Sequence, residues 1–311
     1  MRIEFGTPLS KGFGRMKKAL FQPFDIGKWF ILGFTAFLAT LADCQGNGGG
    51  NYSTNNRTDW DEFFNFPQTA WDWLTSHPLY FNLIILGVIL LFVIGIVFTW
   101  LSSRGKFMFL DNVVYDKAKV AKPWREYRKE GNSLFLWRFL YGLIVFAGFI
   151  LLFIYCFKSG KNLYYEGLHG ITVGWAILKM ILLFLAYLII VSYINTFLDH
   201  FVVPIMYKNR ISAVRGWNRF LKLFSRHLGH FIVYGLFVFI LGIAVILGII
   251  IVCICTCCIG FLLLVIPYIN AVALLPVHYT FRAFSVEFLE QFGDDYKLFP
   301  KSEESGVESQ G

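Results

Sequence analysis

Five ionisable residues lie in or beside long apolar stretches of the sequence: Arg138, Asp199, His200, His278 and Arg282. Ionisable groups in membrane-spanning helices usually face the helix bundle, pair with one another and mark functional sites. Asp199 is the only acidic residue of the last four apolar stretches, so it needs a cation or takes up a proton. We expect it to contact Arg138, Arg282 or Arg215. Because long side chains near a membrane surface can also extend to water, the group is either a structural ion-pair cluster or a transport or ligand site.

Six cysteines form a second group with potential chemistry: Cys44, Cys156, Cys253, Cys255, Cys257 and Cys258. All of them fall at outer ends of the membrane spans predicted below, where an oxidising compartment would favour disulfides. We therefore expect at least one pair to be close enough to bridge. The spacing of Cys255 and Cys258 also suits a redox pair or half of a metal site, and cysteine is common as a small apolar residue inside helices.

Metal, cofactor and enzyme chemistry are not predicted. No second Cys-x-x-Cys and no histidine pair follows in an outer loop to complete a four-ligand site. His227 and His230 are three residues apart, but no carboxylate or third ligand accompanies them. The sequence also contains no Gly-x-Ser-x-Gly, His-Glu-x-x-His or Walker glycine-loop motif. We predict no catalytic, cofactor-binding or metal-binding residue and expect that the protein is not an enzyme.

The composition is that of a membrane protein. Of 311 residues, 57% are hydrophobic and only 15% are charged, whereas soluble domains have about 25% charged residues. Six apolar stretches approach or exceed the roughly 20 residues that a helix needs to cross a bilayer. They cover residues 29–42, 79–101, 134–156, 175–204, 231–252 and 258–281. The expected fold is an all-α, polytopic membrane helix bundle with six transmembrane helices, of which the first is the shortest.

The distribution of Lys and Arg predicts the orientation of these spans. Bases concentrate before the first stretch, between the second and third, and between the fourth and fifth, whereas Arg57 is the only base in residues 43–78. This is the positive-inside pattern, and it places both termini in the cytoplasm. The net charge of +8 then faces anionic lipid head groups, not nucleic acid.

Residues 199–234 contain a segment that is apolar on one side and cationic on the other. The apolar side carries Val214, Trp217, Leu221, Phe224 and Leu228 at helical spacing, and the cationic side carries Arg215, Arg219, Lys222 and Arg226. Such a helix between two spans is expected to lie in the membrane–water interface. Two earlier basic segments repeat this plan. We therefore expect cytoplasmic interfacial amphipathic helices, in three units of an interfacial helix and a two-span hairpin.

The predicted domain organisation has three parts. Residues 1–28 form a basic cytoplasmic N-terminal segment, residues 29–292 the six-span membrane domain, and residues 293–311 an acidic disordered tail. Within the membrane domain, residues 43–78 form an outer flap. Its many aromatic residues are typical of a membrane-interface belt, so the flap lies on the lipid surface or binds a partner.

Four sequence segments carry a family resemblance. "PFDIGKWFILGF", "FMFLDNVV", "FVVPIMYKNRISAVRGWNRF" and "FRAFSVEFLEQFG" resemble an uncharacterised family of prokaryotic multi-pass membrane proteins. That family is similar in plan to the membrane domain that accompanies some glycerophosphodiester phosphodiesterases. The resemblance implies the bacterial inner (plasma) membrane and six helices. It does not extend to the phosphodiesterase activity, because the catalytic barrel would need about 250 further residues.

Two functional classes fit these observations. The first is a non-enzymatic integral membrane protein that scaffolds or assembles a membrane complex or organises lipid. Its partners would be membrane lipids with anionic head groups, and a membrane protein or a second copy of the chain. The second is a small transporter or lipid-handling protein that uses the inner-leaflet polar residues. The first is favoured because transporters usually need polar groups near the bilayer midplane, and Asn270 beside Pro267 is nearly the only candidate.

Overall fold

The computed structural model describes residues 3–43, 60–165, 171–256 and 266–300, which form helices and no strand. In chain order the helices are α1 (Gly6–Phe21), α2 (Ile26–Thr40), α3 (Trp60–Ser76), α4 (Pro78–Tyr115), α5 (Ala121–Glu126), α6 (Arg128–Tyr165), α7 (Ile171–Phe197), α8 (Val203–Asn209), α9 (Ala213–Arg226), α10 (Leu228–Cys255), α11 (Pro267–Ala273) and α12 (Leu275–Glu290). A π-helical turn, Leu198–Val202, joins α7 to α8, and a 3₁₀ turn, Asp294–Tyr296, follows α12.

Four of the described helices are long and apolar enough to cross a membrane. They are α4, α6 and α10, and the continuous helix Thr172–Asn209 that contains α7, the π turn and α8. Three of them have 38 residues, which at 1.5 Å per residue extend about 57 Å. The hydrocarbon core of a bilayer is about 30 Å thick, so these helices continue well beyond any bilayer that they cross.

The first predicted span differs from these four. α2 has 15 residues, or about 22 Å, and lies beside the end of α4. Near its start, Lys28 Nζ is 2.8 Å from Asp116 Oδ1. Near its end, Ser102 Oγ donates to the main-chain oxygen of Ala39 at 2.8 Å. α2 therefore runs antiparallel to the part of α4 that follows its apolar stretch. Leu32 and Ala36 of α2 are buried against other parts of the protein, and this packing accounts for apolar residues at these positions.

The sixth predicted span also differs. Residues 257–265 lie outside the described residues, and the remainder is divided into α11 and α12 at Leu274. Pro267 and Pro276 lie in the first turns of these two helices, where a missing N–H has no helical partner to lose. α12 then continues to Glu290, nine residues beyond the predicted end of the span at residue 281.

Contacts divide the chain into two compact units, each built from separate segments. Unit 1 contains Met1–Ala42, Trp100–Trp137 and Tyr193–Gly311, and unit 2 contains Asp43–Thr99 and Arg138–Ser192. Neither coincides with the consecutive repeats or the single membrane domain that the sequence predicted.

Unit 1 has a hydrophobic core with α12 at its centre. Residues 283–289 of α12 are all buried, which is the pattern of a helix surrounded on every side. Phe201, Phe220, Phe231 and Phe288 meet there, and Phe201 stacks on Phe220 with centroids 5.4 Å apart. On α1, Arg15 Nε donates to Glu287 Oε1 at 2.6 Å, which supplies a cation to a buried carboxylate of α12.

Residues 293–300, which the sequence placed in a disordered tail, are packed in unit 1. The N–H groups of Leu298 and Phe299 both donate to Glu290 Oε1 at 2.7 Å. Phe299 is buried, and the Arg15 guanidinium lies 3.7 Å from its ring centroid. Apolar burial and capping by Glu290 hold this segment despite its acidic residues. Residues 301–311 lie outside the described residues.

Unit 2 contains α3 and most of the α6–α7 hairpin. In the predicted flap, Phe64 of α3 packs against Phe157 and Tyr164. Between α6 and α7, the Tyr187 hydroxyl donates to the Val145 main-chain oxygen at 2.5 Å. In all four candidate spans, the most apolar segment of 18 residues has no residue buried against the rest of the described chain.

Candidate functional site

The predicted polar residues meet at an irregular turn of helix. Pro204 has no N–H, so the carbonyl of His200 loses its usual helical partner four residues later. The chain widens instead into the π turn, where the Val203 N–H donates to the Leu198 carbonyl. The helix therefore continues through Pro204 as far as Asn209. Such single π turns are frequent at functional sites.

Two cations converge on Asp199 in this turn. Lys106 Nζ lies 2.6 Å from Asp199 Oδ2, and the Lys106 side chain is only 2% exposed. Arg282 of α12 donates to the Asp199 main-chain oxygen at 2.6 Å. On the next residue, His200 Nδ1 lies 2.7 Å from the buried hydroxyl of Tyr234. We call these five residues, Lys106, Asp199, His200, Tyr234 and Arg282, the Asp199 cluster.

The predicted polar group is only partly assembled here. Asp199, His200 and Arg282 belong to the Asp199 cluster, and His278 lies one turn before Arg282 on α12, on the same side of that helix. Arg138 lies elsewhere, in unit 2, where it donates to Asp43 Oδ1 at 2.6 Å. Of the cations expected near Asp199, only Arg282 makes a described hydrogen bond to it, through the main-chain oxygen.

Lys106 and Tyr234 were missed by sequence reasoning. Lys106 follows an apolar stretch and precedes many other bases, so it was assigned to a basic cytoplasmic segment. α4 continues to Tyr115 and carries Lys106 into the core of unit 1. The one available signal was local: "SSRGKFMFLDNVV" keeps helical residues and apolar spacing around the lysine.

The Asp199 cluster holds its charges in internal contacts. Lys106 is buried, and its ammonium pairs with the Asp199 carboxylate. Removing one partner from such a pair leaves an uncompensated charge, which costs about 3–5 kcal/mol. No group of three or more His, Cys, Asp or Glu side chains among the described residues could hold a metal ion. We call these contacts, which join the π turn to α4 and α12, the latch.

A second polar cluster fixes the ends of α4 and α8. The hydroxyls of Tyr127 and Tyr207 donate to Asp111 Oδ1 at 3.1 and 2.6 Å, and their rings stack with centroids 4.8 Å apart. Burial raises the pKa of Tyr127, so its hydroxyl stays protonated and can donate to Asp111. The Arg210 guanidinium covers the Tyr127 ring at 3.9 Å and pairs with Glu126.

The predicted thiol cluster is only partly described. Cys156, Cys253 and Cys255 are free thiols. Cys44, Cys257 and Cys258 lie outside the described residues, so the expected disulfide stays a prediction for any pair that involves them.

Helix α9 has three faces, about 120° apart at 100° per residue. The first packs into unit 1 through its buried residues Ala213, Gly216, Phe220 and Leu223. The second carries the exposed bases Arg215, Arg219, Lys222 and Arg226. The third is an apolar ridge formed by Val214 and Leu221, which are 69% and 51% exposed.

The structure adds a third, buried face to the two sides that the sequence predicted for α9. Val214, Trp217 and Leu221 lie on one side of the helix, as predicted, and Val214 and Leu221 are exposed there. The prediction did not include the buried face, and Leu228 is the first residue of α10. On its buried face, α9 uses Gly216 to approach α8 and the π turn: an added Cβ would lie 2.8 Å from Met206 Cγ and 3.1 Å from Val202 Cγ1. The ridge is thus a separate apolar surface next to a cationic one.

Comparison with known proteins places the chain in a family. No curated protein and no solved structure matched it. The model of DUF7544, a family of unknown function, matches residues 7–298, and the chain therefore belongs to that family.

Proposed function

We propose that this chain is a non-enzymatic integral membrane protein that organises anionic lipid, and so scaffolds a membrane complex, through helix α9. The observation that carries this proposal is the exposed apolar ridge of α9 beside its four exposed bases. α9 already packs its first face into unit 1, so the ridge is not needed for the protein's own packing. An apolar strip next to cations fits the boundary between acyl chains and head groups.

The topology that supports this function follows from chain order. In four successive spans, the end of α4, the start of α6, the end of α8 and the start of α10 all fall on one side of the membrane. The base-rich segments 117–129 and 208–226 connect these ends. By the positive-inside rule this side is the cytoplasm, and α9 then faces the anionic lipids of the bacterial inner membrane. These four crossings alone would leave the chain before α4 and after α10 on the opposite side, so the topology keeps the first and sixth predicted crossings if α2 and α12 reach the cytoplasmic side.

Lipid titration with native mass spectrometry tests the proposal. The detergent-solubilised full chain is titrated with phosphatidylglycerol and, separately, with phosphatidylcholine. The proposal predicts a preference for phosphatidylglycerol that falls in the fourfold variant R215Q/R219Q/K222Q/R226Q. At about 1 kcal/mol for each base near an anionic surface, the loss is up to about 4 kcal/mol.

A matched pair of variants separates the ridge from the bases. Leu221→Gln removes apolar surface from the ridge without changing the charge, whereas Asn218→Gln changes an exposed residue outside it. We expect Leu221→Gln to weaken phosphatidylglycerol and phosphatidylcholine retention alike, and Asn218→Gln to leave both unchanged. Equal binding of the two lipids by the wild type, and no effect of the fourfold variant, would contradict the proposal.

The π turn favours a second candidate function, a small transporter or lipid-handling protein that works through the Asp199 cluster. π turns are frequent at functional sites, and here one carries the carboxylate. The Asp199→Asn variant distinguishes the two candidates. A variant that folds normally but no longer moves a cargo in reconstituted vesicles would favour the transporter, whereas loss of folding would favour the latch.

A further inference from the structure

We infer a phospholipid site on the α6–α7 hairpin of unit 2, in which Lys179 and Lys158 bind a lipid phosphate and α7 holds an acyl chain. This site is independent of α9. It lies near the C-terminal end of α6, whereas Arg128 begins the cytoplasmic end of that helix. The site would therefore contact the leaflet opposite the cytoplasmic one.

Lys179 is an ammonium group within an apolar helix. It lies eight residues after the first residue of α7, Ile171, and α7 contains no other charged residue through Phe197. Its side chain is exposed, and no ion pair to it is present among the described residues. An ionisable residue at such a position needs an anionic partner or a path to water.

The packing of α6 against α7 places a second lysine next to the first. Tyr187 bonds to Val145, and further along the hairpin the Lys179 ammonium lies 5.8 Å from the Tyr155 ring centroid. This antiparallel register sets Lys158 level with about Trp175. Lys158 follows Tyr155 by three residues and therefore lies on a similar side of α6. The Cα atoms of the two lysines thus lie about one helical turn apart in depth.

The lipid-facing side of α7 supplies an apolar groove below these cations. This groove is a shallow, open surface depression with a volume of about 280 Å³, and its lining residues all belong to α7: Trp175, Leu178, Lys179, Leu182 and Leu183. These residues recur at i, i+3, i+4, i+7 and i+8, so they form one continuous helix face. An acyl chain along this face would cover the leucines while the Lys179 stem extends towards the head groups.

Charge complementarity identifies the occupant. The groove is apolar and ends at cations, and Trp175 has the amphipathic ring that is typical of the head-group level. A phospholipid matches both parts, because its phosphate is anionic and its tails are apolar. Phosphate oxygens accept several charge-assisted hydrogen bonds at once, which suits two ammonium donors.

Retention of lipid by point variants tests the site. The full chain is purified in detergent, delipidated and titrated with dioleoyl-phosphatidylglycerol under native mass spectrometry. We expect the Lys179→Gln variant to bind the tightest lipid about fivefold more weakly, in line with the loss of one cation near an anionic surface. Lys179→Arg should keep binding, because it keeps the cation.

Lys161→Gln is the matched control, since Lys161 is at the same end of α6 but the register sets it level with about Thr172, beyond Trp175 and the leucines of α7. We expect this variant to bind like the wild type. The inference is overturned if Lys179→Gln binds like the wild type, or if Lys161→Gln loses as much as Lys179→Gln. It is also overturned if oleate, a carboxylate with a single chain, binds as tightly as the phospholipid. All of these variants are also titrated in the R215Q/R219Q/K222Q/R226Q background, where binding by α9 is removed, so the two proposals fail separately.

Discussion

Unit 1 and unit 2 use their apolar residues in opposite ways. Unit 1 buries large side chains such as Phe107, Phe201 and Phe284 completely, and it also buries the charged Lys106. In the described residues of unit 2, Phe64 is the only buried residue, and leucines such as Leu91 and Leu151 are about 70% exposed. One unit has its own core, whereas the other needs an apolar solvent.

This difference explains why the same residue types act differently in the two units. A lysine in unit 1 is held by a carboxylate inside a packed core, as Lys106 is by Asp199. A lysine in unit 2, such as Lys179, remains exposed on an apolar helix. Substitutions should therefore affect stability strongly in unit 1 and weakly in unit 2.

The largest contrast is expected between the two lysines. Lys106→Met removes the ammonium that pairs with the Asp199 carboxylate and should lower the free energy of unfolding by about 3–5 kcal/mol. Lys179→Met removes an unpaired ammonium from an apolar surface and should be neutral or stabilising. Thermal or denaturant unfolding in detergent measures both.

A double variant provides the control for this contrast. Lys106→Met combined with Asp199→Asn removes both charges and should recover much of the loss, because no lone charge remains buried. If Lys106→Met alone unfolds like the wild type, the latch described for the Asp199 cluster is wrong.

Two glycines on α4 give the second contrast. A Cβ on Gly105 would lie 2.5 Å from the main-chain carbon of Leu38, so Gly105→Ala must separate α2 from α4 and should cost about 3 kcal/mol. Gly95 has open space around it, and Gly95→Ala should stabilise the same helix by up to about 1 kcal/mol. Unfolding midpoints of the two variants should shift in opposite directions. A shared sign would argue against the close packing of α2.

The smallest effect is expected inside unit 2. Tyr187→Phe removes only the hydrogen bond to the Val145 carbonyl, which remains in a helix. Side-chain hydrogen bonds between membrane helices contribute about 0.6 kcal/mol on average, so the unfolding midpoint should barely change. A loss as large as that of Lys106→Met would show that unit 2 depends on its internal contacts.

The sequence predicted where the apolar helices lie better than whether each one faces lipid or packs inside the protein. Residues 79–101, 134–156, 175–204 and 231–252 are apolar over spanning length, and the described helices contain them. Residues 29–42 are similarly apolar because Leu32 and Ala36 pack in unit 1, and hydrophobicity alone does not separate lipid from protein surroundings.

The site was predicted less completely for the same reason. Asp199 stood out as a lone carboxylate, but its cation lies 93 residues earlier in the chain, and only the tertiary structure joins them. On α9, periodicity identified apolar and basic sides, but not that the apolar residues divide into a buried face and an exposed ridge. That division depends on which side meets the core of unit 1.

Spin-label accessibility on α9 tests the central claim most directly. Single labels at Leu221 and at Lys222, in a chain reconstituted into phosphatidylglycerol-containing vesicles, report contact with lipid through oxygen and with water through a nickel chelate. The account predicts that the label at Leu221 is more accessible to oxygen and the label at Lys222 more accessible to the chelate. Equal, high accessibility of both labels to the chelate would place the ridge in water and contradict the account.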